Sequence, residues 1–185
     1  PYLAEAAGTK EIFYNVFEGL LRLEPDGSFS PLLATDYSMA DDGLSYQFEI
    51  RDGVLFHNGE EMTPDDVVYS LKRGAGLIDD TVYIPQFAVI DDVTADGQTA
   101  TVKLKRRDMD LLGFFTNAIL PADYADQSSE PIGTGPFVFD EYIPQQRVTL
   151  EAFDDYWQEG VPHLNSVEFR ILPSADAAFV DLEAG

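Results

Sequence analysis

The sequence contains no cysteine. Disulfides, thiolate metal sites, iron–sulfur clusters and a cysteine nucleophile are therefore all excluded. The compartment is not fixed by this, since a cysteine-free chain survives in the cytosol and outside the cell alike. Cations are also scarce: 11 Lys and Arg stand against 34 Asp and Glu, for a formal net charge of -23. Duplex DNA and RNA are poor partners for such a chain, because binding them needs phosphate-neutralising Lys and Arg. No basic amphipathic stretch would hold it on anionic lipid. No run approaches the roughly 20 apolar residues of a membrane span, so no membrane insertion is expected. Nor does Pro1 open a basic and apolar leader, so no signal peptide is expected within the chain.

Catalytic groups are equally thin. Only two histidines occur, His57 and His163, each in a turn or loop sequence, and both read as structural. They lack the His-x-x-x-His spacing of a zinc site, and no Gly-x-Ser-x-Gly elbow is present for a serine nucleophile. The acidic pairs Asp41-Asp42, Asp79-Asp80, Asp91-Asp92 and Asp154-Asp155 do not fall in the frame of a calcium loop. No catalytic residue, metal site or cofactor is expected.

What the chain does have is material for a core. It is 185 residues long, 45% hydrophobic and 12% aromatic, enough for one domain of ordinary size. Ile12, Phe13, Val16, Phe17, Leu20 and Leu21 recur at helical spacing and predict a helix over 9–21, capped by Thr9. Tyr46, Phe48 and Ile50 alternate with polar residues, as in a half-buried strand, and Val54 to Phe56 reads as a short one. Thr63-Pro64-Asp65-Asp66 carries three helix-start signals at once: an N-cap hydroxyl, proline at the first position, and acids at the positive end of the dipole. Asp96-Gly97 predicts a hairpin between 87–93 and 99–105. Leu111 to Phe115 reads as a short helix, 138–142 and 147–151 as a second hairpin, and Val167 to Leu172 as a strand. Ser174 would then cap a helix to Gly185, an element that reads as cut rather than finished. Gly133-Thr134-Gly135-Pro136 precedes a strand, not a helix, so it reads as a tight turn and not as a phosphate cradle. The mixture of short elements predicts an α/β (mixed α+β) domain.

Several segments, in order, resemble the family-5 extracellular solute-binding proteins of ABC importers, which include oligopeptide-, dipeptide- and nickel-binding proteins. Asn15-Val16-Phe17-Glu18-Gly19-Leu20 is similar to the family's first-helix signature, and Ser30-Pro31-Leu32-Leu33-Ala34 to the segment that follows. Residues 41–48 (DDGLSYQF), 51–59 (RDGVLFHNG), 62–71 (MTPDDVVYSL) and 131–137 (PIGTGPF) resemble further family motifs, as do Asp155-Tyr156-Trp157 and Val167-Glu168-Phe169-Arg170. Most of these motifs are scaffold.

The resemblance implies a type II periplasmic-binding-protein-like fold, with residues 1–185 forming the N-terminal part of lobe I of a two-lobe protein whose second lobe is absent. It implies capture of an oligopeptide, dipeptide or similar small solute outside the membrane, by lobes closing on it, and delivery to a permease. The expected setting is the extracellular face of the cell envelope, the expected state a monomer, and the expected affinity of this stretch alone low. Solute contacts are expected from Thr9 and Lys10, from Tyr83 and Phe87 after the capped helix, and from Thr116 and Asn117. Where the nickel-binding relative carries an arginine, Asn117 carries no charge, which disfavours a carboxylate-rich chelate. Trp157 reads as a packing anchor. Two other readings stay open: an effector-sensing domain of an intracellular regulator, and a peptide hydrolase.

Overall fold

The computed structural model describes residues 7–172 together with Ser174 and Leu182; the side chains of Ala7, Gly8 and Lys10 lie outside that description. The helix expected from Ser174 to Gly185 also falls outside it.

Helix α1 (Ala7–Val16) opens the fold and is followed by a two-stranded ribbon, β1 (Leu21–Leu23) with β2 (Phe29–Pro31). Thr9 therefore lies inside α1 instead of capping it, and the helix stops before Phe17 rather than running to Leu21. The reason is tertiary. Leu20 and Leu21 are buried all the same, but as the entry to β1, because Gly19 presses its backbone against Thr116. Helical spacing of apolar residues could not distinguish the two outcomes.

Strands β3 (Ala34–Met39) and β4 (Ser45–Ile50) begin the main sheet. Helix α2 (Pro64–Gly74), a 3-10 turn at Pro85–Val89, and strands β5 (Ile90–Asp96) and β6 (Thr99–Leu104) complete its surroundings. The sheet is antiparallel throughout, in the order β3-β4-β6-β5. In β4 the alternation predicted from sequence is realised: Tyr46, Phe48 and Ile50 are buried and Gln47 and Glu49 exposed. The strand expected from Phe87 begins only at Ile90. Pro85 has no amide to donate to a ladder, and the Phe87 amide instead bonds to the Ile84 carbonyl at 2.8 Å. Val54 to Phe56 contributes a single bridge, Leu55 to Glu61, rather than a strand.

A second 3-10 turn (Leu111–Thr116) leads to a three-stranded antiparallel sheet, β7 (Phe137–Ile143), β8 (Arg147–Ala152) and β9 (Ser166–Arg170). Two apolar clusters result. The larger joins the main sheet to α2 and to Leu111 and Phe115. Phe115 stands edge-on to Phe48, with ring centroids 4.7 Å apart. Burying each such ring is worth roughly 2–3 kcal/mol. The smaller cluster packs Val16 and Phe17 of the first segment on Phe137, Val148 and Leu150 of the second sheet.

Candidate functional site

The segment 15–19 is where distant parts of the chain converge. Gly135 donates its amide to the Val16 carbonyl at 3.0 Å. A Cβ on Gly133 would run into that same oxygen. The Gly-Thr-Gly-Pro loop thus closes the C-terminal end of α1, consuming a carbonyl that the helix leaves open. It is a tight turn into β7, as its sequence suggested. His57 locks it from the other side. Its Nε2 lies 2.9 Å from the Gly135 carbonyl, and its Nδ1 accepts the Gly133 amide at 3.3 Å. These partners place the proton on Nε2. Burial depresses the pKa of the ring, which meets Phe153 edge-on. His57 is structural, and His163 lies exposed in a loop.

Glu18 is the group that sequence reasoning passed over. It is only 7% exposed. One carboxylate oxygen accepts the Tyr156 hydroxyl at 2.7 Å. The other accepts the buried Thr134 hydroxyl at 3.0 Å and the Trp157 indole N–H at 2.9 Å. The Arg51 guanidinium lies 4.3 Å from the centre of the Trp157 ring and bears on Glu18 electrostatically. Burial raises the Glu18 pKa; its three donors and Arg51 oppose that rise without cancelling it. Burial and the Glu18 charge together also push the Tyr156 phenol up. The sequence did hold one signal, an acid set between Val16-Phe17 and Leu20-Leu21. Trp157 is the anchor that its motif suggested.

The residues expected to meet a solute lie in three places. Thr9 is half-buried on α1, seven residues before Val16, or about 10 Å along the helix axis. It borders an open groove of about 1100 Å³, whose apolar wall includes Ile12, Phe13, Phe139 and Phe169. The Lys10 side chain lies outside the described residues. Tyr83 donates its hydroxyl to Asp79 at 2.9 Å, and the Arg73 guanidinium sits 4.9 Å from its ring centre. Phe87 is 1% exposed; it packs against Phe115, and a Cβ on Gly74 would meet its ring at 2.8 Å. It belongs to the core and offers a solute no surface. Thr116 and Asn117 are half-buried, and each bonds back to the preceding 3-10 turn, Thr116 to Gly113 and Asn117 to Phe114, both at 2.8 Å. The structure joins two of these places directly to the framework described above. The 116–118 stretch rests on Gly19, and Tyr83 is held by the Gly74 carbonyl at the end of α2.

Among the described residues, no group of three or more His, Cys, Asp or Glu side chains could hold a metal ion. Nor is any described helix long and apolar enough to cross a membrane.

A capped α2, antiparallel sheets and a glycine loop closing the first helix together define a mixed α/β fold. Residues 28–185 match the family described as bacterial extracellular solute-binding proteins, family 5, middle region, and the chain belongs to that family. It is similar to the oligopeptide-binding protein AppA of Bacillus subtilis, at 34% identity over 83% of this chain and 31% of that one. Heme-binding protein A of Haemophilus influenzae is 32% identical over 84% of this chain and 34% of its own. The chain thus spans about a third of the length of these relatives. The solved structure of B. subtilis AppA in complex with a nonapeptide superposes with a TM-score of 0.87, at 30% identity, over 98% of this chain and 39% of that one. A mannopinic acid complex of MoaA from A. tumefaciens R10 gives a TM-score of 0.90 at 28% identity, over 100% of this chain and 40% of its own. These neighbours carry the type II periplasmic-binding-protein fold.

Proposed function

We propose that this chain is the N-terminal part, residues 1–185, of the first lobe of a substrate-binding component of an ABC importer. It captures an oligopeptide, dipeptide or similar small solute at the extracellular face of the cell envelope and delivers it to a permease. It acts as a monomer, without a cofactor and without chemistry on the solute. The observation that carries the reading is the likeness to AppA, whose structure holds a nonapeptide and which shares 30% of its residues over 98% of this chain. Thr9, Lys10, Tyr83, Thr116 and Asn117 are the residues proposed to meet the solute; Phe87, also expected there from the sequence, is buried in the core. The uncharged Asn117 fits backbone and side-chain hydrogen bonding to a peptide better than a carboxylate-rich chelate.

A thermal-shift screen of the full-length protein tests this with di- to hexapeptides, nickel with histidine, and oligosaccharides. A ligand bound by the folded state stabilises it in proportion to ln(1 + [L]/Kd), about 2.7 kcal/mol at a hundredfold excess over Kd. A rise with peptides alone is the expected result. No rise with any class sinks the reading, and consumption of the peptides would replace it with a hydrolase.

A further inference from the structure

Glu18 is held in a way that the capture of a solute does not by itself require. A buried carboxylate is costly unless every lone pair is used. Here the acceptor sites are met by Thr134, Tyr156 and Trp157, residues 116, 138 and 139 positions further along the chain. The same residue's backbone carbonyl accepts the Ile119 amide at 2.9 Å. Its neighbour Gly19 lies so close to Thr116 that an added Cβ would be 2.5 Å from the Thr116 carbonyl carbon. Residues 18 and 19 therefore face two ways: side chain toward the glycine loop and the Tyr156-Trp157 turn, backbone toward 116–119.

We propose that Glu18 is a positioning residue for the 116–118 segment: its carboxylate fixes the turn from which the Glu18 carbonyl and Gly19 hold Thr116 and Asn117 in place. The inference rests on the reading of 116–118 as part of a solute site. The carboxylate is a better tether than a neutral group of similar shape, because its oxygens accept all three donors at once, each bond strengthened by charge. A glutamine in its place would keep one acceptor and set an amide N–H against donors. The groups bearing on its charge are Arg51, placed just after β4, and Tyr156, itself influenced by Arg22 and Arg51.

Trp157, the only tryptophan in these 185 residues, serves as a reporter, since its indole N–H meets the carboxylate. The experiment compares the full-length wild-type protein with its Glu18→Gln and Glu18→Asp variants, and reads the Trp157 signal as the difference between them. It reads Trp157 emission against pH, amide hydrogen exchange at 117–119, and peptide affinity by titration. Wild-type emission is expected to titrate with a midpoint above the ordinary glutamate value, and Glu18→Gln to abolish that step. Exchange at Ile119 should quicken about tenfold in Glu18→Gln while amides in β6 keep their protection, the mark of a local rather than global opening. Peptide affinity should fall in parallel, and Glu18→Asp should restore part of both. Unchanged exchange at Ile119 in a folded Glu18→Gln overturns the proposal. So does exchange that quickens equally in β6, which would make Glu18 a general stabiliser. Because exchange is read without solute, failure of wild type to bind any peptide would sink the importer reading alone, and Ile119 would still decide this one.

Discussion

Gly135 and Asn15, 120 positions apart in the chain, meet so closely that a Cβ on Gly135 would lie 2.5 Å from the Asn15 carbonyl oxygen. The obstacle is backbone on both sides, so neither partner can rotate away. Gly135→Ala must push the glycine loop off the end of α1 and lengthen the 3.0 Å bond to Val16. Overpacking of this kind costs about 1–3 kcal/mol, and the upper end is expected here because no flexible side chain can absorb the strain. Urea unfolding checks it. A loss under about 0.5 kcal/mol would mean that the loop shifts freely and does not terminate the helix.

His57 should make the protein sensitive to acid. Its ring is uncharged in the fold because Nδ1 must accept the Gly133 amide, and burial holds its pKa below the ordinary 6.5. A group with a depressed folded pKa of this basic kind binds fewer protons when folded than when unfolded. The unfolded state is therefore favoured as pH falls. The stability contributed by His57 is complete above 6.5 and is lost as pH drops from there through the lower folded value. The expected outcome is a fall in the urea midpoint across that window in wild type. His57→Gln, which cannot titrate, should show a smaller fall. Parallel curves for the two proteins would exclude the histidine as the cause.

Glu18 should have the opposite slope. Its folded pKa lies above the ordinary 4.5, so between the two values the folded state holds more proton than the unfolded state. Its contribution is full below 4.5 and declines as pH rises through the folded value. The stability difference between wild type and Glu18→Gln should therefore be largest in acid and shrink toward neutrality. A difference that instead grows with pH would mean that Tyr156, Trp157, Thr134 and Arg51 outweigh burial, and that the carboxylate is held ionised.

The contrast between Asp66 and Glu18 shows what a sequence can and cannot disclose. Thr63-Pro64-Asp65-Asp66 announced α2 because caps act within one turn, and every group needed was adjacent in the chain. The hairpins at Asp96-Gly97 and 138–151 were legible for the same local reason, and β4 through its alternation. The end of α1 was not, since Gly135 and Thr116, both far along the chain, stop it. Glu18 stood in a recognised motif, yet its role depends on donors that only folding brings to it. Phe87 was placed on a solute-facing loop, and nothing nearby in sequence revealed the Gly74 and Phe115 surfaces that bury it. The site residues at Thr116 and Asn117 came from resemblance, not from any local signal.

Asp66 is itself more than a cap, and this gives a last test. One carboxylate oxygen accepts the Thr63 amide and hydroxyl, each at 2.8 Å, while the other accepts the Ala122 amide at 2.8 Å. One turn further along α2, Ser70 accepts the Leu120 amide at 2.8 Å. Asp66 and Ser70 thus hold the stretch 120–122 against the helix, just beyond the 116–118 segment. Thr63→Ala should cost about 1 kcal/mol, the usual value of a lost cap. Asp66→Ala strands two backbone amides near a buried position and should cost about 3 kcal/mol. Because Asp66 and Ser70 share one tethered segment, Asp66→Ala with Ser70→Ala should depart from additivity by about 0.5 kcal/mol or more. Additive losses in urea unfolding would mean that Leu120 and Ala122 are held independently. An Asp66→Ala cost no greater than that of Thr63→Ala would reduce Asp66 to a local cap.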